Sequence, residues 1–427
     1  MLSVIILLFE FVILTVFNST GTRDVGNAIA SIFVLIHALM VIASFNQNKK
    51  LKNYSKYLIR GFMFRVLLLF VDVLGYPAIV LPNKSDDIMF YANAVNVASG
   101  FSTLRGLYPK VMGTLFQYIG TNKLFGQYVS MLCAIVALAY LTLSLVKLDL
   151  DDKIIRRTLS VVCILPNFAI LSSLFMREAI IYMFLSLSFY YFVRWTTEKR
   201  ESNFFVAAGL VLPAAAFHSG TLAVLVGYIV IRVFYDNKRE IVNIKASNIL
   251  ITLIIAFVAV FVISRSEGQF TGKFSGVDSL EDIANTNDMG RSSYAQYVGN
   301  SNNPVSFILF TPLRLFFFLF SPVPWMWRGF ADMIAFFFSS LYYLIVIINV
   351  IKFLRTRKEK HRVTVIAFFI VAFAAVFVFA WGTSNAGTAT RHRDKMLILF
   401  AILWALSTDG LQSVNRDRKR HVLGARV

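Results

Sequence analysis

Apolar runs of about 20 residues recur from one end of this chain to the other, each long enough to cross a hydrocarbon core roughly 30 Å thick. Across 427 residues, 57% are hydrophobic and only 15% charged, whereas soluble domains carry about a quarter charged residues. A soluble core has no room for so many such runs. The pattern predicts an all-α, polytopic transmembrane helical bundle forming one integral membrane domain over residues 1–427. No basic residue precedes the first run, Met1 to Phe17, and no Ala-x-Ala site follows it, so it reads as a span and not as a cleaved signal peptide.

About twelve spans are expected, at 1–18, 26–45, 59–81, 125–146, 159–175, 179–194, 203–217, 220–235, 247–264, 330–352, 363–382 and 396–410. Orientation follows from the Lys and Arg clusters in alternate loops: 49–60, 147–157, 194–200, 232–245, 352–362 and the tail 411–427. The positive-inside rule puts these, and both termini, in the cytoplasm. That placement also accounts for the net charge of +19 without nucleic acid as a partner. Cys133 and Cys163 both lie inside apolar runs, with no disulfide framework and no metal-binding spacing.

The alternation closes except at 305–328, which is apolar enough to span yet holds Pro312, Pro322 and Pro324. Proline interrupts helices, so this segment is expected to be a re-entrant or interfacial segment on the outer side. Two long outer loops are expected at 83–124 and 265–304, the second a possible lid rich in Gly, Ser, Asn and Asp.

Ionisable groups at membrane depth are costly and invite a functional reading. Here they gather at the expected outer face: Asp86, Asp87, Arg105, Arg177, Glu178, His218, Arg314, Arg328, Arg391, His392, Arg393 and Lys395. Excess cation outside runs against the usual bias, and a polyanionic ligand explains it, because arginine pairs with phosphate through its planar fork. Arg177 could equally snorkel to the interface or pair with Glu178. His218, in Phe217-His218-Ser219-Gly220, could carry a proton or simply be a capped polar residue. In Asp86-Asp87-x-x-x-Tyr91, spacing of four puts Asp87 and Tyr91 on one helix face, and the carboxylate could be a general base or a helix cap. Arg65 and Asp72, seven apart on one helix, read as structural ion-pair members between helices, with a proton path as rival. No P-loop, GxGxxG, HExxH or GxSxG is present, so nucleotide-driven chemistry is not expected.

The stretch MREAIIYMFLSLSFYYFVR, then TTEKRESN, then FFVAAGLVLPAAAFHSGTLAVL resembles the Wzy/EpsG group of bacterial polysaccharide polymerases. The Asp87 to Tyr91 pattern and the late outer Arg391-His392-Arg393 are similar to the same group; Glu178, where many EpsG-type proteins carry Gln, departs from it. The resemblance implies a GT-C-like bundle in a bacterial inner membrane that joins undecaprenyl-diphosphate-linked glycans, as donor and acceptor, into O-antigen, capsule or exopolysaccharide. It implies no cofactor and no metal, with membrane lipids and a chain-length regulator as further partners. On it, His218 or Asp87 takes a proton, Arg177, Arg391 and Arg393 bind the donor diphosphate, and Arg314 and Arg328 hold glycan or a second diphosphate. Arg105, Asp86, Tyr91, Glu178 and His392 complete the expected binding set. Two rivals stay open: a glycosyltransferase of GT-C type using a polyprenyl-phosphate sugar, and a flippase or transporter of lipid-linked glycan. The first usually marks its first outer loop with an acidic pair, where this chain has only Asp24; the second often shows internal repeats, and none is evident.

Overall fold

The computed structural model describes residues 12–103 apart from 18 and 22, then 106–236, 241–242, 245, 247–248, 293–298, 304–356 and 361–424. Residues 249–264 of the expected span 247–264, most of the 265–304 loop, residues 1–11 of the first run and Arg105 lie outside the described residues. The described chain is nearly all helical. Its one ladder pairs two-residue strands antiparallel, Tyr235–Asp236 with Ile241–Val242.

Four helices among the described residues are long and apolar enough to cross a membrane: α1 (Arg23–Gln47), α5 (Lys123–Lys147), α12 (Phe330–Leu354) and α13 (Arg362–Trp381). A fifth candidate is α14 (Ala386–Asp394) with α15 (Leu397–Gly424), bent by 62° between them. These helices are apolar on their outward faces as well as inside. Ile32 of α1 is 57% exposed, Ile345 of α12 57% and Phe373 of α13 52%, while Ala38, Ala134 and Val371 are buried. A helix apolar all round fits a hydrocarbon solvent and not water.

The chain divides into two compact units. The first holds residues 1–142 and 159–186, and includes α1, α2 (Ser55–Gly75), α3 (Lys84–Ala98), α4 (Leu107–Ile119), most of α5 and α7 (Pro166–Leu171). The segment 83–124, expected as a long outer loop, is largely a packed helix pair, α3 with α4. A Cβ on Gly113 of α4 would lie 2.5 Å from Val97 Cβ and 2.6 Å from the Ala94 carbonyl, so α3 and α4 touch backbone to side chain only because that side chain is missing. The expected span 159–175 is corrected. An amphipathic helix α6 (Asp152–Val162) ends before Pro166, whose ring opens α7, and the chain turns again at 172–177.

The second unit holds residues 143–158 and 187–427, with most of α8 (Glu178–Glu198), α9 (Glu201–Phe217), α10 (Leu222–Phe234), α11 (Pro304–Phe320), α12, α13, α14 and α15 (Leu397–Gly424). Helix α10 packs on α13 at Gly227, where an added Cβ would meet Val371 Cα at 2.7 Å. Pro312 sits inside the continuous helix α11, so the expectation that it interrupts the helix is corrected. The real break is at 321–329, where Pro322 and Pro324 deny donors and a short 3-10 turn (Pro324–Met326) intervenes. The tail 411–427 continues α15 as far as Gly424.

Candidate functional site

In the first unit the turn 172–177 carries Arg177 to the head of α8. Asp87, fully buried one turn into α3, fixes that turn: its Oδ1 accepts the Phe175 backbone N–H at 2.8 Å. Its Oδ2 bonds the Lys123 ammonium and lies 3.0 Å from Lys84 Nζ. Buried Asp72 bonds Lys84 through Oδ1, while its Oδ2 receives Gln127 Nε2 at 3.0 Å and lies 3.5 Å from Lys123. Two carboxylates and two ammoniums thus form a neutral quartet. Burial opposes the Lys84 charge, but Asp72 and Asp87 outweigh it and hold the ammonium above its usual value.

Arg177 lies with its guanidinium 5.6 Å from the Phe90 ring centre and Nε 3.9 Å from Oε1 of the fully buried Glu178. Tyr91 packs edge-on against Phe116 and Phe175, and Asp86 is half-buried in the first turn of α3, whose N-cap is Asn83. Arg65 donates to Ser172 Oγ at 2.7 Å, to the Cys163 carbonyl and, within its own helix, to the Gly61 carbonyl.

In the second unit His218 and His392, 174 positions apart, meet with Nε2 to Nε2 at 3.1 Å. His218 ends α9 in extended backbone, and its carbonyl accepts from Thr221. His392 lies in α14, whose first turn is capped by Asn385 accepting from Gly387 and Thr388. The rings stand at 79°, Phe379 packs against both, and Thr383 Oγ1 lies 3.1 Å from His392 Nδ1. At this spacing one ring's Nε2–H donates to the other's Nε2, so a proton can pass between the two rings. Tyr294 braces the arrangement. Its N–H donates to the Ser384 carbonyl at 2.7 Å and its hydroxyl to the Thr383 carbonyl at 3.0 Å.

Arg391 is half-buried beside this pair in sequence, whereas Arg393 is fully buried with its donors engaged. Nε meets Ser339 Oγ, Nη2 meets Ser340 Oγ and Thr390 Oγ1, and Nη1 meets the carbonyls of Phe318, Leu319 and Ser321. It caps the carboxyl end of α11 from within. Arg314 is buried over the Trp381 ring at 4.4 Å, and Arg328 is exposed and paired with Asp332 at 3.2 Å. No three His, Cys, Asp or Glu side chains converge as a metal site among the described residues.

Sequence reasoning missed Lys84, Lys123, Gln127 and Thr383. Lys84 was visible as the third residue before Asp87, and Lys123 as a cation at the start of an apolar run. No known protein family, curated protein or solved structure matches this chain. Its class rests on its own geometry: a bundle of apolar helices, suited to a membrane, with a polar centre in each of its two units.

Proposed function

We propose that this chain polymerises undecaprenyl-diphosphate-linked oligosaccharide repeat units at the outer face of a bacterial inner membrane, as a multi-span, GT-C-like glycosyltransferase with both termini in the cytoplasm. The observation that carries the reading is the His218–His392 contact. Each residue belongs to a separate motif of the resemblance, and their meeting gives a proton acceptor without any nucleotide.

The acceptor sugar hydroxyl attacks the anomeric carbon of the donor glycan. The new glycosidic bond forms as the bond from that carbon to the diphosphate oxygen breaks. The hydroxyl proton passes to the histidine pair, and the carrier diphosphate departs as an anion. Arg391, part-buried on the helix that carries His392, stabilises the charge that develops on it, and Arg177, part-buried in the first unit, binds a carrier diphosphate. Asp87, with both oxygens engaged, holds the turn of Arg177, and Arg393 holds α11 against α14.

The test is a gel profile of surface glycan from a deletion strain complemented with wild type or with Arg177→Ala. A ladder with wild type that collapses to a single repeat in the variant, at equal protein level, supports the reading. An unchanged ladder overturns it, and loss of all glycan in the deletion moves the function upstream, to a flippase or an assembling transferase.

A further inference from the structure

We infer that the turn from α1 into α2, with the outward face of α2, binds an anionic phospholipid, the headgroup on Lys56 and Arg60 and an acyl chain along Met63, Leu67, Phe70 and Leu74. The inference rests on the apolar helices and not on the polymerase reading.

The turn is short and holds its shape. The Asn48 carbonyl accepts the backbone N–H groups of Leu51 at 3.0 Å and Lys52 at 2.9 Å, and its Oδ1 accepts that of Lys50 at 3.0 Å. A 3-10 turn, Lys52–Tyr54, follows, pinned by buried Leu51 and Tyr54. Lys49, Lys50, Lys52, Lys56 and Arg60 all stand exposed on this turn or on the start of α2. The sequence has no acidic residue between Asp24 and Asp72, and none of the five cations has an ion pair among the described residues. Other basic helix ends differ. Lys147 and Arg194 meet Glu198 at 2.7 and 3.0 Å, Arg156 pairs with Asp152, and Arg232 reaches Glu201 at 3.1 Å. The positive-inside bias explains Lys and Arg in a loop, but not a cluster with no carboxylate to offset it; such a cluster beside a span attracts anionic headgroups.

The face of α2 supplies the second half of the argument. At 3.6 residues per turn, Lys56, Arg60, Met63, Leu67, Phe70 and Leu74 lie within about 40° to either side of one line along the helix. All six are exposed, whereas Gly61, Arg65, Leu69 and Asp72 on the opposite side are buried. The buried Tyr57 ring gathers the two cations: Lys56 Nζ is 5.3 Å from its centre and the Arg60 guanidinium carbon 5.6 Å. From Met63 to Leu74 the stripe runs about 17 Å along the axis, close to the roughly 15 Å depth of one leaflet's hydrocarbon. A cationic head above an apolar stripe of that depth matches a phospholipid whose headgroup carries net negative charge. A nucleic acid or an acidic peptide would have nothing to lay along the stripe.

The experiment places the full chain in phosphatidylcholine nanodiscs doped with phosphatidylglycerol that carries a photoreactive diazirine on its acyl chain. Phosphatidylcholine with the same diazirine, at the same mole fraction, is the reference, and labelled peptides are located by mass spectrometry. Residues 61–75 are expected to take more label from phosphatidylglycerol. Each exposed cation beside an anionic headgroup contributes about fivefold, so Lys56→Gln with Arg60→Gln should lower that preference by about 25-fold or to parity. Lys153→Gln with Arg157→Gln, at the start of α6, should leave it unchanged. Labelling of 61–75 by the phosphatidylcholine probe reports that each variant keeps its fold. High salt screens exposed charge and should lower the preference of the wild type, an arm that needs no variant. Equal labelling by the two probes, a preference that survives in the Lys56 and Arg60 variant, one that the α6 variant lowers as much, or one indifferent to salt would overturn the inference. The assay needs no turnover, so its outcome is separate from that of the Arg177 ladder.

Discussion

Replacing Asp87 by asparagine separates a brace from a base. The side chain keeps its shape, and Oδ1 can still accept the Phe175 N–H, now 2.8 Å away. What is lost is one negative charge, leaving Asp72 alone against two buried or half-buried ammoniums, a net charge of +1. Breaking a buried pair by removing one partner costs about 3–5 kcal/mol. Lys123 is 24% exposed and water screens part of the surplus, so about 2–3 kcal/mol is expected here. Adding Lys123→Met restores neutrality. The double variant should recover most of that stability, giving a coupling of about 2 kcal/mol where independent sites would add within roughly 0.5. Unfolding in detergent micelles by denaturant reports the stability, and the glycan ladder in complemented cells reports the activity. A brace predicts that both recover together in the double variant. Additive destabilisation, or a double variant that folds as wild type yet makes only single repeats, would refute the brace and return Asp87 to the role of base.

His218→Asn and His392→Asn should each reduce polymerisation by at least about a hundredfold, in the range of general acid–base catalysis. The double variant should be no worse than either, measured as the rate of ladder formation by membranes supplied with lipid-linked repeat. Gly113→Ala should destabilise the fold by about 1–3 kcal/mol through forced separation of α3 and α4, read from the same denaturant curve. Glu198, at the end of α8, is held at about 2 by hydrogen bonds from Arg194, Lys147 and Asn203. Because its folded value lies below its ordinary one, its contribution is complete above about pH 4.5 and fades as the pH falls toward 2. The stability gap between wild type and Glu198→Gln should therefore be constant near neutrality and close on acidification. A gap that widens there would contradict the assignment.

The long spans were legible because a uniform apolar run needs no knowledge of its neighbours. The expected 26–45, 125–146 and 363–382 agree closely with Arg23–Gln47, Lys123–Lys147 and Arg362–Trp381. The break at 163–165 was not read, because the apolar run continues through it and a single Pro166 carries the signal. Pro312 misled in the opposite sense, since its helix continues through a residue that usually ends one. The polar centres were legible as residues but not as arrangements. Asp72 finds Lys84 and Lys123, 12 and 51 positions away, and such pairing leaves no periodic trace in a sequence. His218 and His392 each stood out in a short motif; only the fold of the second unit brings one to the other.

The hold of Arg393 on the carbonyls of Phe318, Leu319 and Ser321 has a consequence for how the chain is made. Helix α11 leaves the ribosome well before α14, and until α14 follows, the open carbonyls at its end have no donor in a lipid environment. The guanidinium is likewise unwelcome in lipid until those carbonyls receive it. The stretch from α11 to α14 therefore matures as one biosynthetic unit, and a chain truncated between Phe320 and Ala386 should be retained by the insertion machinery or degraded, not accumulate as a partial bundle.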